Sequence, residues 1–119
     1  MGVISIDDQE GAWGGSRVFI GHLLEFCIAR AGERAYLRGF LDSFDDGYNW
    51  FTLEDLPADE YGEFIALVRR YLDEEAFEEL GYDSNEARSS LADLLARMQR
   101  ALRRRLGAGE AEHQNCSLH

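Results

Sequence analysis

The sequence predicts an all-α, single-domain bundle of four to five amphipathic helices with a disordered C-terminal tail. Three observations carry that expectation. The chain has 119 residues, a length that supports one hydrophobic core and excludes a nucleotide-binding α/β domain with a second lobe. Apolar residues recur at helical spacing in several stretches, and no two runs read as a convincing strand pair. With 45% hydrophobic and 12% aromatic residues, the chain is too apolar for intrinsic disorder. Residues 1–107 are assigned to the helical domain and 108–119 to a flexible polar tail.

Met1 to Gly15 reads as a poorly structured lead-in punctuated by Gly11, Gly14 and Gly15. Val3 to Ile6 has strand character but no obvious partner. From Ser16, a good N-cap, the positions Ile20, Leu23, Leu24, Cys27, Ile28 and Ala31 trace one helix face, and Gly32 ends it. A second helix carries Leu37, Phe40, Leu41 and Phe44 inward, with Gly39 weakening it by about 1 kcal/mol relative to Ala. Asp45 to Asn49 has turn chemistry, and Trp50 and Phe51 are expected in the core. Pro57 suits the first position of a helix over 57–73 whose stripe is Tyr61, Phe64, Ile65, Val68, Tyr71 and Leu72. A short helix follows to Leu80, closed by Gly81. Asp83 and Ser84 compete as N-cap of the last helix, which presents Leu91, Leu94, Leu95, Met98 and Leu102 and runs to about Leu106.

Charge is distributed unevenly. The 23 acidic residues face 12 arginines and no lysine, a net charge of −11. Residues 1–86 carry 20 acidic residues and 6 arginines, and residues 87–119 carry 3 and 6. So acidic a field repels nucleic-acid phosphates and anionic lipid and attracts a basic protein. Tyr48 and Trp50 beside Asp45 and Asp46, and Tyr82 beside Asp83, mix aromatic anchors with charge as protein interfaces do, although core packing is the expectation for Trp50. Arg97, Arg100, Arg103, Arg104 and Arg105 complement the dipole of the last helix and can pair with acidic groups of neighbouring helices.

The familiar site chemistries are not matched. Asp42, Asp46 and Gly47 fit an EF-hand loop, but Phe44 and Leu53 occupy two of its chelating positions. Of the three histidines, His22 sits among apolar positions as a packing residue, and His113 and His119 lie in the tail. No zinc or di-iron spacing occurs, and Gly11 to Gly15 lacks the Lys and Ser or Thr of a P-loop. The expectation is therefore no catalytic residue, no metal and no cofactor. His22 and Glu25 interrupt the most hydrophobic window, Val18 to Ala31, and Met1 to Glu10 is acidic where a signal peptide is basic. Cys27 and Cys116 do not suggest a disulfide. A cytoplasmic protein without membrane contact is expected.

In size, charge, helical pattern and the grouping of Tyr48 with Asp45 and Asp46, the chain resembles the small acidic helical immunity proteins of bacteria. The exclusive use of Arg fits a GC-rich bacterial coding sequence. The resemblance implies a non-enzymatic inhibitor, a monomer or homodimer, that docks on a basic toxin or effector. Asp45, Asp46, Tyr48, Glu74, Glu75, Glu78, Glu79 and Asp83 are the candidate partner contacts. A dimeric cytosolic adaptor or secretion chaperone is the first alternative, and a small enzyme or ligand-binding bundle with a pocket around His22 the second.

Overall fold

The structure, a computed structural model, describes residues 2–117, with side chains as far as Gly107. Its order is β1 (Gly2–Asp7), β2 (Gly11–Gly15), α1 (Arg17–Ala31), α2 (Ala35–Asp45), β3 (Trp50–Thr52), α3 (Ala58–Asp73), a 3-10 turn (Ala76–Leu80) and α4 (Ser84–Ser117). The fold is mixed α/β, which corrects the expected all-α bundle. A three-stranded sheet of order β2-β1-β3 joins the helices. The expected flexible tail, residues 108–119, lies outside the residues whose side chains are described.

The presumed lead-in is a hairpin. β1 pairs antiparallel with β2, Ile4 opposite Trp13. The Asp7 carboxylate accepts the backbone N–H groups of Gln9 (2.9 Å) and Glu10 (2.6 Å), and Gly11 takes the positive φ of 72° that completes the turn. Ile4, Ile6 and Trp13 are buried on the face turned to the helices, and the Trp13 indole N–H reaches the Ser90 carbonyl of α4 at 3.0 Å. Gly2 is required for packing, since a Cβ there would stand 2.8 Å from Ile20 Cδ1 and Phe44 Cε1.

β1 also pairs with β3, in parallel, through Val3–Trp50, Ile4–Phe51 and Ser5–Thr52. A parallel pair needs a long crossover, and α1 and α2 supply it. The turn expected over residues 45–49 leads directly into an unexpected edge strand, Trp50–Thr52. Its two aromatic residues part company: Phe51 is buried in the core, stacked on Phe40 at 4.1 Å between centroids, whereas Trp50 is 56% exposed. The core placement expected of Trp50 is thus corrected, because adjacent side chains on a strand point to opposite faces.

The helices follow the apolar stripes closely. Ser16 caps α1 by accepting the Phe19 N–H, and α3 starts one residue after Pro57. Asp83 caps α4 by accepting the Glu86 N–H at 3.0 Å. Gly39 has open space where a Cβ would stand, so it buys no close approach.

Three arginines of α4, Arg97, Arg100 and Arg104, bond to the hairpin, whereas Arg105 donates to the Leu56 carbonyl and Arg88 pairs with Glu75 beyond α3. Arg100 and Arg104 both bind the Glu10 carboxylate, Arg104 also binds Asp7 at 2.9 Å, and Arg97 donates to the carbonyls of Glu10 and Ala12. The two guanidinium groups hold the Glu10 carboxyl below its ordinary value of 4.5. Desolvation works against the same shift at Asp7, but the Glu10 N–H and Arg104 outweigh it and Asp7 lies below 3.8. Carboxyls depressed by folding contribute stability that is complete above their unfolded pKa values and lost as pH falls through the folded ones. Melting temperature is therefore expected to drop steeply below about pH 4.5, and Glu10→Gln should flatten that acid limb. Parallel pH profiles for the two proteins would contradict this account of the network.

Candidate functional site

The eight candidate contacts fall at opposite ends of α3. Asp45 ends α2, Asp46 caps it, and Tyr48 lies two residues before β3, lining one groove with Asp55 and Leu56 just before α3 begins. Glu74, Glu75, Glu78 and Glu79 follow its C-terminus. Sixteen residues of helix separate the two groups by about 24 Å.

At the C-terminal end most of the acidic side chains are engaged internally. Glu74 pairs with Arg30 at 2.5 Å and Arg70 at 3.3 Å, Glu75 pairs with Arg88, and Glu79 accepts from His22 at 3.1 Å. Glu75 holds a left-handed backbone at φ 53°, where the chain turns sharply from α3 into the 3-10 turn. Asp83 is occupied as the α4 cap. These groups serve as clasps between α1, α3, the 3-10 turn and α4.

His22 is more than a packing residue. Its Nδ1 lies 2.8 Å from the Tyr71 hydroxyl and its Nε2 faces Glu79, a Glu–His–Tyr array. In the neutral imidazole, the phenol donates to Nδ1 and Nε2–H donates to the carboxylate. The Tyr71 side chain is fully buried, and burial pushes its phenol well above the ordinary value. The array ties α1 to α3 and the 3-10 turn. His22→Leu should cost about 1–3 kcal/mol by leaving the buried hydroxyl unpaired. Adding Tyr71→Phe should restore much of the loss in thermal unfolding, and an undiminished melting temperature in the single variant would refute this role.

The N-terminal end of α3 has a different character. Asp45 is the last residue of α2, Asp46 its C-cap, and Gly47 turns the chain with φ 92°. The Tyr48 N–H returns to the Ser43 carbonyl at 2.8 Å, leaving the Tyr48 side chain 64% exposed. Beside it a groove of about 430 Å³ runs between β3 and α2, with Phe40, Phe51 and Leu56 among its lining and Tyr48, Trp50 and Asp55 at its margins. Asp45, Asp46 and Asp55 have no arginine partner among the described residues. Trp50, a large exposed aromatic of this surface, stands out in sequence beside the acidic residues but is not among the candidate contacts, because the core is expected for it. Its signal was the alternation Trp50-Phe51-Thr52, too short to reveal a strand without its partner.

Among the described residues no group of three or more His, Cys, Asp or Glu side chains is placed to hold a metal ion, and no helix is long and apolar enough to cross a membrane. No protein-family model, curated protein or solved structure matches the chain.

Proposed function

We propose that this chain is a non-enzymatic binding protein that docks on a basic protein partner, acting as an immunity or antitoxin-like inhibitor of a basic bacterial toxin or effector. The observation that carries the reading is the exposed pair Tyr48 and Trp50 on an apolar groove lined also by Asp55, with Asp45 and Asp46, unpaired among the described residues, in the turn that leads to Tyr48. Tyr and Trp anchor interfaces because each buries a large rigid area while retaining one polar group. Unpaired carboxylates around them select a basic surface and accelerate encounter with it. Glu74, Glu75 and Glu79 add to the long-range field, but their internal partners make them poor direct contacts.

The binding role belongs to the cytoplasm, where the Cys27 thiol, buried and pushed up to about 12 by desolvation, remains inert. The test is affinity capture with the intact chain. A basic partner should be retained at about 0.1 M salt and released toward 1 M, as the screening length falls from about 10 Å to about 3 Å. Its purified form should be inhibited by the wild-type chain. A partner of acidic character, or retention indifferent to salt, would overturn the reading.

A further inference from the structure

We infer that the partner engages this surface by strand addition: a basic, extended segment pairs with the open edge of β3 and becomes a fourth strand of the sheet. The inference rests on the proposed docking of a basic protein and specifies how that protein is held.

The register of the sheet shows which backbone groups are available. Val3 N–H donates to the Asn49 carbonyl at 2.8 Å and Leu53 N–H donates to the Ser5 carbonyl at 2.9 Å. With Ile4 paired to Phe51, alternation turns the Phe51 N–H and C=O toward β1 as well. The N–H and C=O groups of Trp50 and Thr52 consequently point to the opposite side, where β3 has no neighbouring strand. Four main-chain groups are thus presented in strand geometry at the margin of the groove.

The other edge of the sheet is treated differently. Arg97 of α4 covers β2 by donating to the Ala12 carbonyl at 3.2 Å and to the preceding Glu10 carbonyl at 3.3 Å. Folded proteins commonly block their edges with charge, proline or a covering element, because an open edge is a template for pairing. The three residues of β3 carry neither charge nor proline, and shortness is the one protective feature the strand itself has. It carries an exposed Trp50 in their place, and an apolar groove lies alongside it.

The surroundings choose the occupant. A strand laid against β3 would extend the sheet over α2, placing every second side chain in the groove against Phe40, Phe51 and Leu56. These positions call for apolar residues. Those flanking them meet Asp55 in the groove lining and the field of Asp45 and Asp46 in the turn before Tyr48, which calls for Lys or Arg. A second copy of this chain is disfavoured by the same carboxylates, since edge-to-edge pairing would bring two acidic rims together.

The experiment uses a synthetic capped hexapeptide alternating Arg and Val, its backbone N-methylated counterpart and a Glu–Val counterpart, each titrated against the full chain. Amide exchange is followed at Trp50, Phe51 and Thr52. The Arg–Val peptide should slow exchange at Trp50 and Thr52 while Phe51, already bonded to β1, changes little. N-methylation or the Glu–Val sequence should abolish the effect. Thr52→Pro removes an outward N–H without disturbing a bond to β1. It should raise the peptide Kd by about tenfold or more, whereas Thr52→Ala should not. Melting curves establish that both variants are folded.

Equal binding of the N-methylated peptide, or of Thr52→Pro, would overturn strand addition and leave capture of a basic protein standing. Failure of the Arg–Val peptide to protect these amides, or their protection in the free chain together with a dimer by sedimentation, would also overturn it. Failure of the docking reading itself is registered separately, in the salt dependence and charge of the captured protein.

Discussion

Truncating Phe51 to Ala is expected to destabilise the protein by about 3–5 kcal/mol, lowering the melting temperature by roughly 10–20 °C. The side chain is 4% exposed, stacks on Phe40 and meets Phe44 and Phe64 edge-on at 5.8 and 6.5 Å between centroids. Its removal deletes buried aromatic surface and opens a void among three rings that belong to two different helices. Phe51 is also the only residue of the three-residue β3 whose side chain lies deep in the core. The void should therefore loosen β3 itself as well as the helices. A domain of this size has a total stability of roughly 5–15 kcal/mol, so a large part of it depends on one side chain. Substituting the adjacent Trp50 by Ala should cost under about 1 kcal/mol, since its indole is mainly in solvent. Equal losses at the two positions, measured by thermal or denaturant unfolding, would contradict the assigned orientation of β3.

The same pair of residues should exchange importance when binding is measured. Tyr48→Ala and Trp50→Ala are each expected to weaken the basic partner by about 2 kcal/mol, roughly thirtyfold in Kd. The two losses need not add, because both side chains border one groove. Asp45→Asn with Asp46→Asn should act mainly on the association rate and on its salt dependence, as charges at an interface rim do. Replacing Glu74, Glu75, Glu78 and Glu79 together by Gln should change affinity much less. Three of these side chains already hold Arg30, Arg70, Arg88 or His22, so their loss is felt first as looser packing of the 3-10 turn. Calorimetry or surface-capture kinetics with the purified partner distinguishes the two ends of α3. Unchanged affinity in the Tyr48→Ala/Trp50→Ala double variant, or abolition by the four Gln substitutions in a folded chain, would move the binding surface to the C-terminal end.

Strand addition and the Phe51 result are linked. If β3 is the docking edge, a variant that loosens it should lose partner affinity even though Phe51 touches no partner atom, and a ligand that completes the sheet should raise the melting temperature by mass action. The hairpin is held by a different device, the Arg97, Arg100 and Arg104 contacts to β2 and its turn. That division leaves one edge of the sheet covered and the other presented.

The helices were legible in the residues because their information is local. Ser16 as a cap, the stripe from Tyr61 to Leu72, Gly81 in its left-handed C-cap conformation and Asp83 as a cap each act within a few neighbours along the chain. The charge asymmetry was equally plain, as was the association of Tyr48 with Asp45 and Asp46. The sheet was not. β1 has the alternation of a half-buried strand in Ile4 and Ile6, but one of its partners contains three glycines in five residues and the other lies some 45 residues away and is three residues long. A short strand is stabilised by its neighbour, and no count of propensities along β3 contains that neighbour.

For the surface, too, residue type and residue role separated. Tyr48 and Trp50 were identifiable as aromatics among acids, yet only pairing of β3 with β1 sends Phe51 inward and Trp50 outward. Glu74 and Glu79 look the same in sequence as Asp45 and Asp46. Folding brings Arg30 and His22 to the first pair and no arginine to the second. Composition therefore sets the sign of the partner, through a field that depends on total charge. The place where that partner binds depends on which carboxylates remain unpaired and which strand edge remains open, and both are consequences of contacts between residues far apart in the chain.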